Sequence, residues 1–219
     1  MRDKFDEQLR LLDELLTRMG ELCESAIANA TKALQDGDIV KAKEVISADE
    51  EIDQIETDIE RLCLKLLLQQ QPVAKDLRRI SAALKMITDM ERIGDQTADI
   101  AEIIISAKMN NPSDVEEIGI MAAAASKMVH DSVSAYVNKD LELAKGIADA
   151  DDAVDQMFDD IKNELITLIA EDKGQNGSKA IDLIMITKYL ERIGDHATNI
   201  AEWVEFSITG VHVSSGLSL

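Results

Sequence analysis

The sequence has few of the residues that interrupt or cross-link a chain. Its 219 residues include only two prolines, two cysteines and ten glycines, and aromatic residues make up 3%. Such a composition, rich in alanine, leucine and charged residues, is typical of long packed helices and argues against a β-rich fold. The two cysteines, Cys23 and Cys63, lie among apolar residues without a metal-binding spacing. We therefore expect buried free thiols in a reducing compartment.

Basic residues are also scarce relative to acidic ones. The chain has 43 aspartates and glutamates against 23 lysines and arginines, which gives a formal net charge of −20. A field of this sign excludes nucleic acid as an expected partner and favours cations or basic protein surfaces. The sequence has no apolar run long enough to cross a membrane and no apolar signal at its start. We expect a cytoplasmic protein.

Apolar residues recur at three- and four-residue intervals through most of the chain. The first series, at 5, 9, 12, 16, 19, 23, 26, 30 and 33, places one apolar stripe on one helix face. Turn residues separate six such series, near 35–38, 72, 108–112, 138–140 and 171–180. The pattern therefore predicts an all-α fold of six helices.

The second half of the chain repeats the plan of the first. The stretch MERIGDQTADIAE at 90–102 returns as LERIGDHATNIAE at 190–202, and ADEEIDQ at 48–54 returns as ADDAVDQ at 150–156. We predict two tandem antiparallel three-helix bundles with internal pseudo-symmetry. Their predicted boundaries are 1–111 and 112–208, followed by a mobile C-terminal tail at 209–219.

Acidic pairs spaced four residues apart recur at matched positions of the two repeats. Residues with this spacing share one helix face, so each pair forms a small carboxylate clamp. Antiparallel packing of the second and third helices of a repeat would bring two clamps together around one point. The candidate metal ligands are Asp49, Asp53, Glu91 and Asp95 in the first repeat and Asp151, Asp155, Glu191 and Asp195 in the second, with Asp99 and Asn199 as second-rank ligands.

A glycine interrupts both third helices at the same place. Gly94 and Gly194 lie inside the repeated motif, although glycine in a helix interior costs about 1 kcal/mol relative to alanine. We infer that a bound metal ion or a closely approaching helix needs room there. On the second helix, Asp49 follows the apolar residue Ala48, so we expect this acid to flank the helix seam.

Three interpretations of the acidic pairs stay open. In the first, the carboxylates hold hard or borderline cations. In the second, the glycines admit a neighbouring helix and Arg92 and Arg192 neutralise the acids, so the protein is a metal-independent helical scaffold. In the third and weakest, the sites form a carboxylate-bridged metalloenzyme. His196 has Gln96 as its counterpart, so we expect no histidine ligand. The chain has no Glu-x-x-His pair, P-loop or nucleophile elbow, and we expect no enzymatic activity.

Taken together, these features resemble the PhoU family of bacterial phosphate-uptake regulators. The resemblance rests on two three-helix repeats, each with a DxxxD on its second helix and an ERIGD…IAE stretch on its third, and it spans residues 4–208. It implies an all-helical, often homodimeric protein without catalytic activity. Some family members bind multinuclear iron or zinc clusters through such acidic pairs, which map here onto all eight candidate ligands.

The resemblance also implies partners and a role. Family members act between the ATPase subunit of the phosphate ABC transporter and a phosphate-sensing histidine kinase, and so reach the membrane through partners. They repress phosphate uptake and the phosphate-starvation response when phosphate is plentiful. By this resemblance we expect a negative regulator that binds divalent or trivalent metal ions, with iron, zinc, manganese and magnesium as the candidates.

Overall fold

Six long α-helices make up almost all of the structure. It is a computed structural model that describes residues 2–70, 72–109 and 115–212, without the side chains of residues 2, 3, 69 and 70. The helices are α1 (Arg2–Asp36), α2 (Ile39–Gln70), α3 (Ala74–Ser106), α4 (Glu116–Asn138), α5 (Leu141–Glu171) and α6 (Gly177–Thr209). The predicted all-α fold of six helices is confirmed. No helix within the described ranges is long and apolar enough to cross a membrane.

The first turn of each repeat has the same construction. Between α1 and α2, Gly37 has a left-handed backbone (φ +64°), and the Asp38 carboxylate accepts hydrogen bonds from the backbone N–H groups of Val40 and Lys41 at 2.9 and 3.0 Å. Between α4 and α5, Lys139 takes the left-handed position (φ +55°) and Asp140 caps α5. The repeat therefore keeps the turn although the glycine has been replaced.

The two repeats share one hydrophobic core. Helix α2 packs on α1 and α3, and α5 packs on α4 and α6. The repeats meet along two helix pairs, α1 with α4 and α3 with α6, and the second of these is the most extensive helix contact in the structure. Large side chains from both repeats are fully buried in this core, including Leu12, Leu16, Tyr136 and Phe206.

Polar side chains join α3 and α6 where the repeats differ in sequence. Asp89 of α3 lies 2.9 Å from His196 Nδ1 and accepts a hydrogen bond from the Asn199 amide at 3.1 Å. In the first repeat, the residues that correspond to His196 and Asn199 are Gln96 and Asp99 of α3. The sequence differences between the two motifs therefore serve, in part, the contact between the repeats.

The core stripe of α2 differs from the expected one beside the first acidic pair. Ala48 is exposed, whereas Asp49 is half-buried between the buried residues Val45 and Ile52. Because positions 45, 49 and 52 also follow a three- and four-residue spacing, the helix can turn this face inward. The expectation that Asp49 merely flanks the seam was wrong: it occupies a core-facing position.

The start of the predicted tail belongs to the folded part of the chain. The boundary at 111–112 and residues 213–219 lie outside the described residues. The tail prediction was wrong for residues 209–212, because α6 extends through Thr209 and His212 is buried with its ring 4.0 Å from that of Trp203. The prediction of buried free thiols is confirmed for both cysteines.

Because the repeats share one core, we expect the chain to unfold in a single cooperative transition. Leu16→Ala in α1 and Ile193→Ala in α6 each truncate a side chain that is 0% exposed, so each should lower the free energy of unfolding by about 2–5 kcal/mol. Differential scanning calorimetry of both variants measures this effect. Two separate transitions, each sensitive to only one substitution, would show that the repeats fold independently.

Candidate functional site

The first acidic cluster lies where α2 and α3 pack together. Asp49 and Asp53 project from α2, and Glu91 and Asp95 project from α3. The charges of Asp53, Asp95 and Asp99 act on Asp49, and those of Asp95 and Asp53 act on Glu91. The structure therefore brings the four candidate ligands of the first repeat to one seam.

A fifth carboxylate of this cluster was missed in the sequence. Glu56 is half-buried, and desolvation followed by neighbouring acids, Asp53 and Asp95 among them, raises its pKa. The signal that could have identified it is its spacing, because Glu56 continues the core-facing series that passes through Asp49. An acid at such a position is unusual, since burial of a charge is unfavourable unless the charge is neutralised.

The glycine of α3 makes room for the carboxylate of α2. A Cβ atom placed on Gly94 would lie 2.4 Å from Asp49 Oδ1 and 3.0 Å from Ile52 Cδ1. Any side chain at this position would thus displace Asp49. The interior glycine, which is unfavourable for the helix by itself, is explained by the close approach of α2 and its acid.

The oxygen that faces Gly94 has no hydrogen-bond donor. Asp49 Oδ1 is buried without a partner. Desolvation, followed by the charges of neighbouring aspartates, raises the pKa of Asp49 to about 6. Buried polar atoms are nearly always satisfied in native proteins, so this oxygen indicates a place for a proton or a cation.

The second cluster repeats this arrangement between α5 and α6. Asp151 Oδ1 is buried without a partner, and a Cβ on Gly194 would lie 3.2 Å from it. Desolvation, followed by the charges of Asp155 and Asp195, raises the pKa of Asp151 to about 6. Desolvation and then Glu191 raise the pKa of Asp155 as well. All four candidate ligands of the second repeat therefore also meet at one seam.

The two clusters differ in their basic neighbours. Lys188 of α6 donates a hydrogen bond to Glu191 and lies 5.3 Å from the centre of the Phe158 ring. At the matched positions the first repeat has Thr88 and Glu56. The second cluster is therefore partly neutralised by a lysine, while the first has an additional acid.

The arginine nearest the first cluster is poorly placed to neutralise it. Arg92 Nε lies 3.8 Å from Glu91 Oε2, and the arginine side chain is 56% exposed. Exposed pairs of this kind contribute little free energy. The alternative in which arginines balance the carboxylates is therefore weak for the first repeat.

The second-rank candidates are used partly between the repeats. The charge of Asp99 acts on Asp49, and Asp99 also lies within hydrogen-bonding reach of the Tyr189 hydroxyl of α6. Asn199 instead donates to Asp89 of α3. Asp99 therefore borders the first cluster, whereas the Asn199 amide is engaged at the seam between the repeats.

The donors of both clusters fit a hard cation in type. Each cluster offers carboxylate oxygens, one of which is buried and unpartnered, and such oxygens suit Mg²⁺, Ca²⁺, Mn²⁺ or iron. Within the described part of the chain, no three acidic, cysteine or histidine side chains already stand in an arrangement that could hold a metal ion. Metal binding would therefore require the carboxylates to rotate toward a common centre.

Comparison with known proteins gives a consistent result. The model of the PhoU domain family matches residues 16–104 and 118–204. The phosphate-specific transport system accessory protein PhoU homolog of Clostridium acetobutylicum is 37% identical over 214 residues, which is 97% of both chains.

Solved structures of similar proteins have the same fold. The crystal structure of PhoU from Pseudomonas aeruginosa aligns with a TM-score of 0.88 at 34% identity and covers 94% of this chain and 100% of that one. The phosphate transport system regulatory protein PhoU from Streptococcus pneumoniae aligns with a TM-score of 0.87 at 28% identity, covering 96% and 99%.

The matched glycines provide a test of the packing at the two clusters. We expect Gly94→Ala to destabilise the protein by about 1–2 kcal/mol relative to Gly194→Ala, because the new methyl group overlaps Asp49 Oδ1 in the first repeat. Gly194→Ala meets looser surroundings and gains helix propensity. Urea denaturation of both variants in EDTA measures the difference. Equal effects would show that Asp49 moves aside without cost.

The raised pKa values predict a dependence of stability on pH. The folded protein binds protons at Asp49 and Asp151 with pKa values of about 6, against 3.8 for the ordinary group. Proton binding at these two aspartates thus stabilises the folded state at low pH, and this contribution is lost as the pH rises through about 6. Because both side chains are partly exposed and solvent screens their charges, we expect a total contribution of about 1 kcal/mol to the free energy of unfolding.

Metal-free protein should accordingly be more stable at about pH 5 than at about pH 7.5, relative to the D49N/D151N variant. Asparagine keeps the shape of the side chain and removes its titration. Urea denaturation of the two proteins in EDTA at both pH values gives the double difference. If the difference between them were the same at both pH values, these two aspartates would have ordinary affinity for protons.

Proposed function

The chain belongs to the PhoU family, and from this premise we propose that it regulates a phosphate-specific transport system as a metal-binding adaptor. The similar proteins are named as accessory or regulatory proteins of phosphate transport, which supports a regulatory role without catalysis. The metal part of the proposal depends on one observation, the buried and unpartnered aspartate oxygen that faces a helix glycine in each repeat.

The residues that would hold the ions come from two helices in each repeat. They are Asp49, Asp53, Glu91 and Asp95 between α2 and α3, and Asp151, Asp155, Glu191 and Asp195 between α5 and α6. Bound cations would supply the positive charge that allows like-charged carboxylates to approach one another. Glu56 and Asp99 stand beside the first group and would add oxygens there.

The first cluster should bind cations more tightly than the second. It contains Glu56, whereas Lys188 already pairs with Glu191 in the second cluster. A cation that binds the second cluster must compete with this ammonium group. We therefore expect the two repeats to differ in the number of ions bound, in their affinity, or in both.

The proposed adaptor role follows from the family and from charge. A net charge of −20 favours basic surfaces on partner proteins and accelerates association with them. In our proposal the partners are the ATPase subunit of the phosphate transporter and a phosphate-sensing histidine kinase, and the chain represses the starvation response when phosphate is plentiful. Bound cations would bridge the packed pairs α2–α3 and α5–α6 and so fix the helix surfaces presented to these partners.

A metal-independent scaffold is the second candidate. The contact of Lys188 with Glu191 supports it, because part of the second cluster is neutralised within the chain. In this case the acidic faces would bind basic partner surfaces directly. The two candidates differ in whether partner binding depends on metal.

Substitution of the clusters distinguishes these candidates. We expect the E91Q/D95N/E191Q/D195N variant to lose most of the bound metal, because four of the eight ligating charges are removed. Its matched control is E7Q/E14Q/E44Q/D149N, which removes four charges from exposed helix positions outside the clusters. Elemental analysis of both proteins, purified without chelator, measures metal per chain.

The metal-binding candidate also predicts that chelation changes stability and partner binding. Metal-binding wild-type and control proteins should show a higher thermal midpoint than their EDTA-treated forms, and should bind the purified ATPase subunit more weakly after chelation. Wild-type protein without metal, with partner binding unchanged by EDTA, would remove the metal from the proposal and leave the scaffold.

A further inference from the structure

An apolar groove with an acidic rim lies between α4 and α5 of the second repeat. It has a volume of about 190 Å³ and is lined by Glu117, Ile120, Met157, Asp160, Ile161 and Glu164. Ile161 is buried and forms part of its floor, whereas Ile120 is 56% exposed. The groove is separate from both acidic clusters and plays no part in the metal-binding proposal.

The acids of the rim lack basic neighbours. None of the three rim carboxylates has an ion pair with a lysine, arginine or histidine of the described chain. Asp160 accepts one hydrogen bond from the Gln156 amide at 2.8 Å. Glu117 and Glu164 line the groove from opposite helices, and the proximity of Glu164 raises the pKa of Glu117. Two like charges thus face each other across an apolar floor.

The first repeat shows what this groove looks like when it is closed. Its first two helices correspond to α4 and α5 at an offset of 102 residues, so Leu15 and Leu62 occupy the positions of Glu117 and Glu164. Both leucines pack into or against the core, and Leu62 is only 8% exposed.

The position of Ile120 is also closed in the first repeat. Its counterpart is Arg18, which spans α1 and α2 through an ion pair with Glu51 at 2.9 Å. The second repeat therefore has two acids where the first has packed leucines, and an exposed isoleucine where the first has a salt-bridged arginine. The free protein gains nothing from this exchange, since like charges in contact and exposed apolar groups are both unfavourable.

We propose that the groove between α4 and α5 binds an amphipathic basic helix of a partner protein. The apolar residues of that helix would contact Ile120, Met157 and Ile161, and its lysines or arginines would pair with Glu117, Asp160 and Glu164. This is the mode in which an amphipathic helix lies in a hydrophobic groove, with basic residues selected by the acidic rim.

Charge decides between this occupant and the other candidates. A second copy of the chain also has a net charge of −20, so the acidic rim disfavours it as the occupant of this groove. An anionic membrane surface is repelled by the acidic rim for the same reason. A basic helix satisfies both the apolar floor and the rim.

Binding of a model peptide tests the proposal directly. The probe is a fluorescein-labelled peptide of leucine and lysine, about 18 residues long so that it can form a helix on binding, with leucines on one face. Fluorescence anisotropy measures its Kd for wild-type protein and for the variants E117Q/D160N/E164Q and E117L/E164L. The matched control is E7Q/E14Q/E44Q, which also removes three negative charges, but from exposed positions of the first repeat.

We expect the peptide to bind E117Q/D160N/E164Q about tenfold more weakly than wild type, because three partner charges are lost, and to bind the control within about twofold of wild type. E117L/E164L, which restores the residues of the first repeat, should also bind weakly while its thermal midpoint rises. The rise shows that weak binding does not result from misfolding.

Two outcomes would overturn the proposal. In the first, the control loses as much affinity as the groove variant, which would show that only the net charge of the protein matters. In the second, sedimentation shows that wild-type protein self-associates and that E117L/E164L does not, which would show that the groove holds a second copy of the chain. Neither outcome affects the metal proposal, because the groove variants leave all eight candidate ligands unchanged.

Discussion

The burial of one aspartate over a glycine, repeated in each half of the chain, sets the requirements for the rest of the structure. Asp49 and Asp151 stand at positions where a helix ordinarily presents an apolar residue to the core, and each has one oxygen without a donor. A carboxylate in such a place is unfavourable unless it takes up a proton or a cation. The glycines of α3 and α6 allow it to fit, at a cost in helix propensity.

Duplication has kept this unit and changed its surroundings. Both repeats keep the aspartate, the glycine and the acidic pairs, while the neighbouring positions hold Glu56 in one repeat and Phe158 in the other. Lys188 lies 5.3 Å from the centre of this aromatic ring and donates a hydrogen bond to Glu191. Two sites with the same backbone therefore have different charges, because side chains that do not define the fold were free to change.

Much of this arrangement could be predicted from the sequence. The helix count, the repeat and the meeting of the acidic pairs follow from apolar spacing and from the antiparallel packing of consecutive helices. The sequence did not predict which face of α2 turns toward the core. Ala48 and Asp49 fit two adjacent stripes equally well, and only the packing against Gly94 selects the stripe that contains Asp49. For the same reason Glu56 was missed, because its membership of the cluster depends on which stripe faces inward.

The roles of residues at the contact between the repeats could not be predicted at all. His196 and Asn199 both approach Asp89 from across the α3–α6 contact, a pairing between residues more than a hundred positions apart. Asp99 lies at this contact too, where its charge acts on Asp49 on one side and it comes within hydrogen-bonding reach of the Tyr189 hydroxyl on the other.

Asp99 therefore connects the first cluster to the second repeat, whereas its counterpart Asn199 is neutral and donates to Asp89. The second cluster reaches the same contact through His196, whose charge acts on Asp195 and whose ring lies 2.9 Å from Asp89. The charges of Asp49 and Asp99 act on each other, and Asp99 also lies within hydrogen-bonding reach of the Tyr189 hydroxyl of α6. Each cluster is thus linked to the contact between the repeats, the first through Asp99 and the second through His196. The same backbone therefore joins its two clusters to the contact between the repeats through different side chains, an acid in one half and a histidine in the other.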